Sequence, residues 1–366
     1  MNEEKTAILL INVGSPEEPT ISSVRKYLTR FLNNKLVIDL PWLLRKFLVN
    51  AIIIPFRVRK STGLYRRLWT EKGSPLIFHT EELRKKLQIR LGNSFEVFTG
   101  MCYGNPSYIN ALSEIKKKGF EKIVLFPLFP QYAISTTKAA LVSAKTEIKK
   151  QKIKAEIFKI EQFYDHPKFI DAFAAQAKKN DLKKFNHVVF SYHGLPKRQV
   201  EKCHPGIKVE NCTCNKSLPE NGRFCYRATC YETTRLIANR LNLEPEKYSV
   251  GFQSRLSKNW LAPFTDEIIQ KRLSEGEKKI LVLAPSFVTD CLETIIEIGV
   301  KYSEEFHKNG GEKFQLVESL NAEEQWVEAL VEIIVSVPKD YNQNLNPNVK
   351  TTLFLKVLKD AISGVG

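Results

Sequence analysis

The run Lys279-Ile-Leu-Val-Leu-Ala-Pro-Ser-Phe-Val-Thr-Asp-Cys-Leu-Glu-Thr-Ile-Ile-Glu-Ile298 decides the fold. Residues 280–284 are an unbroken apolar string, as a strand covered on both faces requires. Pro285 ends the string, Thr289 or Asp290 can cap a helix, and Leu292, Ile295, Ile296 and Ile298 then form an apolar stripe. A buried strand that runs through a short loop into an amphipathic helix is the βα unit of a parallel sheet.

Outward from this unit the same pattern recurs. Strand strings stand at Ala7–Val13, Glu96–Met101, Lys122–Pro127 and Ala155–Ile160 in the first half. In the second half they stand at His187–Tyr192, Tyr248–Gln253, Lys279–Ala284 and Phe314–Ser319. Amphipathic stretches lie between them at Thr80–Leu91, Ser107–Lys118, Lys138–Lys150, Tyr231–Leu241 and Leu292–His307. Second to third strand spans 26 residues in the first half (96 to 122) and 31 in the second (248 to 279). Third to fourth spans 33 (122 to 155) and 35 (279 to 314). One plan used twice predicts an α/β fold of two similar doubly wound lobes. Each lobe carries a parallel four-stranded sheet, and ligands bind in the cleft between them, beyond the carboxyl ends of the strands. The expected divisions are a first lobe over 1–165, a second over 166–337 with a cysteine-rich insert at 203–230, and a tail over 338–366 without an assigned role.

The chain has 366 residues, and 56 Lys plus Arg against 40 Asp plus Glu leave it at +16. That surplus points to an anionic partner, which the sum alone leaves as nucleic acid, a phospholipid surface or an acidic small molecule. A bilayer helix is not expected, because the longest apolar run, around Phe47 to Phe56, falls short of the roughly 20 residues required. The first residues, Met1-Asn-Glu-Glu-Lys-Thr, lack the basic start of a signal peptide, so a cytoplasmic protein is expected.

The residues after strand ends carry the candidate chemistry. Asn12-Val13-Gly14-Ser15-Pro16 permits close backbone approach to a ligand, or is simply a βα turn; no GxGxxG or P-loop lysine supports a nucleotide. Ser191-Tyr-His193-Gly-Leu-Pro196 brings an imidazole to a strand end, where it can accept a proton or ligate a metal. On its own it reads equally as a structural histidine. Asp290, Glu293 and Glu297 recur at i, i+3 and i+7, one face of an α-helix, and Glu297 is too far along merely to complement the helix dipole. A histidine with hard carboxylates and open positions suits Fe²⁺. Tyr103, Gln131, Tyr132, Ser135, Gln253, Ser254 and Trp260 follow other strands and suit a large flat ligand with polar edges.

These segments together resemble the ferrochelatase family. The matching stretches are Leu10-Ile-Asn-Val-Gly-Ser-Pro16, Leu64-Tyr-Arg-Arg-Leu-Trp69, Gly73-Ser-Pro-Leu76, Tyr103-Gly-Asn-Pro106, Phe129-Pro-Gln-Tyr132 and Ser135-Thr-Thr137. Ser191-Tyr-His-Gly-Leu-Pro196, Gln253-Ser-Arg255 and Asp290-Cys-Leu-Glu-Thr294 complete them, in the family's order over roughly residues 6 to 335. The resemblance implies insertion of Fe²⁺ into protoporphyrin IX to form protoheme in heme biosynthesis. It implies His193 as the acceptor of pyrrole protons and Glu293 as the inner carboxylate. His193, Glu293, Asp290 and Glu297 would meet the metal, while Val13, Tyr103, Gln131, Tyr132, Ser135, Gln253, Ser254 and Trp260 would line the porphyrin. Two positions depart from the pattern: Lys301 stands where a third acid often continues the ridge, and Cys102 where many members have arginine.

Five of the seven cysteines, Cys203, Cys212, Cys214, Cys225 and Cys230, crowd into 28 residues. In a reducing compartment such density favours a metal or iron–sulfur centre over disulfides. Some bacterial ferrochelatases resemble this chain here and bind a [2Fe–2S] cluster with four internal thiolates; a Cys₄ zinc site is the rival. A rival of another class, an iron–sulfur redox or nucleic-acid sensor, has no reading helix or RNA motif behind it, so no nucleic acid is expected. The basic groups Arg45–Lys46 and Arg57–Lys60 flank the apolar run Phe47 to Phe56, so peripheral contact with the inner face of a membrane is expected as well.

Overall fold

The structure is a computed structural model that describes residues 5–203 and 206–342, with side chains described as far as 337. Strand β1 (Thr6–Asn12) opens the chain and leads to helix α1 (Ile21–Leu32). Helix α2 (Trp42–Phe47) passes through a π-turn, Leu48–Ile53, directly into α3 (Ile54–Leu68), and α4 (Pro75–Leu91) follows. Then come β2 (Phe95–Met101), α5 (Tyr108–Lys118), β3 (Lys122–Pro127), α6 (Ala139–Gln151) and β4 (Glu156–Lys159). The second half contains α7 (Pro167–Lys178), β5 (His187–His193), the short α8 (Lys197–Glu201), α9 (Tyr226–Arg240) and β6 (Tyr248–Gln253). It continues with α10 (Thr265–Ser274), β7 (Lys279–Leu283), a π-helix over Leu292–Tyr302 that runs into α11 (Ser303–Lys308), β8 (Lys313–Leu316) and α12 (Glu324–Asn342).

Two parallel four-stranded sheets result, in the orders β2-β1-β3-β4 and β6-β5-β7-β8. In each, the order reverses beside the first strand, which opens a crevice at the carboxyl ends of β1 and β3, or of β5 and β7. Register is set by the apolar strings: Thr6 pairs with Phe95 on one side and Lys122 on the other, and Phe190 pairs with Val250 and Leu283. Alternate residues of β1 go to opposite cores. Ile8 and Leu10 face Val124, Phe126 and Leu83, whereas Ala7, Leu9 and Ile11 face Leu112, Ile115 and Ala144. Both faces are apolar because helices cover both.

The halves are not closed off from each other. The core around Leu10 and Phe126 continues through Phe163 and Phe169 to Trp326 of α12, with ring centroids 5.2 to 5.9 Å apart. α12 lies against α4 of the first half and α7 of the second. A separate core joins Val24, Tyr27 and Leu28 of α1 and Val58, Tyr65 and Leu68 of α3 to Ile296 of the π-helix. The expected divisions of the chain thus share packing at both ends of the cleft. α12 carries five residues of the expected tail as helix, and the rest of 338–366 lies outside the described residues.

The apolar run Phe47 to Phe56 is helical, as part of α2, the π-turn and α3. No helix among the described residues is long and apolar enough to cross a membrane. Arg45, expected on the basic surface, is buried and donates to the carbonyls of Asn33 and Leu40 at 3.0 and 2.7 Å, so it caps a turn instead.

Candidate active site

His193 ends β5, next to the switch point of the second sheet. Its Nδ1 stands 2.6 Å from the Gly194 carbonyl, which can only accept. Nδ1 therefore carries the proton, and the lone pair of the neutral ring lies on Nε2. The Phe287 and Trp260 rings flank the imidazole, each with a centroid 6.4 Å away. Gly194 must be glycine for this packing, since a Cβ there would stand 2.6 Å from the Gln253 carbonyl and 3.3 Å from the Trp260 ring.

Phe287 leads across the cleft. It packs beside Val13 against the small core of Leu76, Met101 and Cys291, and Cys291 caps the π-helix that carries Glu293 and Glu297. Gly14, at φ +99°, lets the loops after β1 and β2 meet here; a Cβ would reach Met101 Cβ at 3.0 Å and Gly104 N at 3.1 Å. Glu293 stands in the first π-turn, within electrostatic reach of Tyr27 and Tyr65. Burial first, then the Glu293 charge, pushes the Tyr65 hydroxyl well above its ordinary range, so it stays protonated. Tyr27 is raised by burial, then by Tyr65 and Glu293. Glu297 accepts from Ser254 Oγ at 2.6 Å and from the Tyr302 hydroxyl at 3.4 Å. Ser254 adopts φ +61°, a left-handed conformation that points its hydroxyl at the π-helix at a local cost of order 1 kcal/mol.

Several expected positions do something else. The helix over 292–302 bonds as a π-helix, and its N-cap is Cys291 rather than Thr289 or Asp290, so the i, i+3, i+7 ladder does not form. Asp290, expected among the metal ligands, precedes the helix and is buried. Its carboxylate accepts from Asn321 Nδ2 at 2.7 Å, Thr294 Oγ1 at 2.9 Å and Ser319 N at 3.4 Å, which ties the loop after β8 to the helix start. Gln131, expected on the porphyrin, is buried and donates to Thr233 Oγ1 at 3.0 Å as a bond between the halves. Gln253 is likewise buried, with Oε1 accepting from Ser191 Oγ at 2.8 Å beneath the site. Among the described residues, no three His, Cys, Asp or Glu side chains are grouped to hold a metal ion. Val13, Ser135 and Trp260 are half-buried. Tyr103 accepts from Asn34 Nδ2 at 2.9 Å and packs on Phe31, and Tyr132 meets Phe224 of the insert edge-on at 5.3 Å. Lys301, where a third acid would extend the ridge, holds its ammonium 5.7 Å from the Tyr302 ring.

In the insert, Arg227 donates to Cys214 Sγ at 2.9 Å. The Cys214 thiol beside it pulls the Cys225 thiol below its ordinary range. Cys203 lines a cavity with Cys212, which adjoins a second lined by Cys212, Cys214 and Cys225. Cys230 is buried one turn into α9 and lines neither cavity.

The two sheets are those of chelatases. The crystal structure of the sirohydrochlorin chelatase SirB from Bacillus subtilis subspecies spizizenii, in complex with cobalt, superposes with TM-score 0.52 over 92% of this chain and 96% of that one. At 10% identity this likeness speaks for the fold alone.

The chain belongs to the ferrochelatase family, whose sequence profile, described as Ferrochelatase, matches residues 5–337. It is 41% identical to the ferrochelatase of Coxiella burnetii (strain Dugway 5J108-111) over 341 residues, 91% of this chain and 94% of that protein. It is 41% identical to the ferrochelatase of Legionella pneumophila (strain Lens) over 333 residues, 90% of this chain and 98% of that protein. Membership makes it an enzyme of the lyase class, of a family that inserts iron into a porphyrin in heme synthesis.

Proposed function

We propose that this chain inserts Fe²⁺ into protoporphyrin IX to give protoheme, with His193 as the acceptor of pyrrole protons and Glu293 as the inner carboxylate. The observation that carries this reading is the Nδ1 bond of His193 to Gly194, which leaves Nε2 with a lone pair in the cleft. Insertion releases two N–H protons, takes in one ferrous ion and transfers no electrons. The imidazole Nε2 suits the first demand. Glu293, faced by the hydroxyls of Tyr27 and Tyr65, offers carboxyl oxygens that can receive protons or guide iron inward. Glu297, held by Ser254 and Tyr302, continues the acidic route, which stops at Lys301. Tyr103, Tyr132, Ser135, Val13 and Trp260 suit the faces and edges of the macrocycle. Turnover of Fe²⁺ with protoporphyrin and with coproporphyrin tests the reading. Metalloporphyrin formation is expected at least about tenfold faster with protoporphyrin, judged by kcat/KM. Preference for coproporphyrin would overturn the substrate assignment.

We propose further that four thiols of the insert close on a [2Fe–2S] centre, with zinc as the runner-up; they are not drawn together as a metal site without it. Cys203, Cys212, Cys214 and Cys225 would hold it, because they line two adjoining cavities, and Cys230 is left out because it is buried in α9 and lines neither.

We also propose that the enzyme works against a membrane surface from the cytoplasmic side. The support is an apolar ridge on α2, the π-turn and α3: Trp42, Leu43, Leu44, Phe47 and Phe56 are exposed by 62, 72, 59, 64 and 83%. Exposed Lys46, Arg57, Arg59 and Lys60 flank it, a combination that suits an anionic bilayer. The inner face of the same helices packs on the π-helix, so the ridge backs one wall of the cleft. Co-sedimentation with anionic vesicles is expected to exceed that with neutral ones by about tenfold or more at low salt. Equal binding to both would count against the surface.

A further inference from the structure

His193 ends its strand, yet the side chains that hold its main chain come from two other parts of the second lobe. Tyr226 Oη donates to the His193 carbonyl at 2.9 Å, and the His193 amide donates to Ser286 Oγ at 3.4 Å. The two bonds hold His193 on either side of its Cα, from α9 and from the loop after β7. Tyr226 is buried, which makes its donor expensive to strand. The peptide held in this way leads to Gly194, whose carbonyl fixes the tautomer of the imidazole and whose amide donates to Gln253 O at 2.8 Å.

Tyr226 is also the first residue of α9, and the residue before it, the cap of that helix, is Cys225. Cys225 lines one cavity with Cys212 and Cys214, and Cys230 follows one turn on in the same helix. The distance in sequence from the thiol set to the grip on His193 is one peptide bond.

We infer that Tyr226 is a positioning residue for His193, and that the Cys225–Tyr226 step lets the state of the thiol set govern where the imidazole stands. The inference rests on the reading of His193 as the proton acceptor. Tyr226→Phe in the full chain keeps the aromatic side chain and removes the hydroxyl that holds the His193 carbonyl. Its kcat is expected to fall about tenfold, the worth of one buried hydrogen bond, while KM for porphyrin stays within about twofold. In ¹⁵N-histidine-labelled protein, the His193 resonances, assigned by their loss in His193→Ala, are expected to move from the Nδ1–H tautomer toward a mixture. Unchanged kcat with unchanged resonances would overturn the positioning role, as would a change in KM alone. Should Tyr226→Phe fail to fold, Ser286→Ala removes the other hold, the one on the His193 amide, with the same two readouts. For the coupling, Cys225→Ser is expected to move the same resonances. Their staying in place, in protein that has lost its bound metal, overturns it; Cys214→Ser gives the same reading if Cys225→Ser does not fold. The resonances report the imidazole itself, so they stand apart from any failure of His193 as the base.

Discussion

His193→Ala is expected to lower the rate of metal insertion by about three orders of magnitude, within the range that a positioned general base contributes. The argument is one of atoms. The Gly194 carbonyl fixes the Nδ1 proton, Nε2 is left as the acceptor, and alanine puts nothing in its place. The flanking Phe287 and Trp260 have no basic atom to substitute. Porphyrin affinity should change little, because the macrocycle rests on other side chains, so the loss should fall in kcat rather than KM. His193→Asn separates filling from basicity: it restores a side chain able to hydrogen-bond but not one able to take a proton near neutral pH, and should be as slow as alanine. Heme formation followed by absorbance under anaerobic conditions measures both. A normal rate in either variant removes His193 from the chemistry.

On the proposed [2Fe–2S] reading, Cys214→Ser is expected to abolish the cluster: visible absorption, iron and acid-labile sulfide should fall to about nothing, since four thiolates are required and this removes one of them. Cys214 lines one cavity with Cys212 and Cys225 and accepts from Arg227 at 2.9 Å. Cys230→Ser should leave all three signals intact, because that thiol is buried in α9 and lines neither cavity. The pair of variants also tells iron from zinc. A colourless wild-type protein with about one zinc per chain, lost in Cys214→Ser, would assign the site to zinc instead. Loss of the cluster in Cys230→Ser with retention in Cys203→Ser would reverse the choice of ligands.

Strands were the most legible part of this chain. A parallel strand covered on both faces has to be apolar throughout, so β5 as Val-Val-Phe or β7 as Ile-Leu-Val-Leu can be read without a partner. His193 and Glu293 follow from that, because the crevice lies past strand ends. The π-helix was not legible. Its apolar residues fit an α-helical stripe, and the extra residue per bonded loop shows only in the backbone. Asp290 was drawn into the ladder by that same assumption, and only the bond to Asn321, 31 residues on, shows where its carboxylate goes. Gln131 and Gln253 looked like polar edges of a binding surface, yet burial turned each into a fastening within the fold. Nor could spacing separate Cys230 from its neighbours. That distinction depends on which side of α9 a thiol leaves, and Cys230 leaves into the core rather than toward the cavities.

Trp326 brings an obligation of timing. It fills the space between Phe163 and Phe169, yet a ribosome releases it only after nearly nine-tenths of the chain has been made. Until then the apolar side of α4 and the two phenylalanines lack their cover, so the amino-terminal half leaves the exit tunnel with an unfinished core. The nascent chain must hold that surface apart from its neighbours, or borrow a chaperone to do so, until α12 arrives.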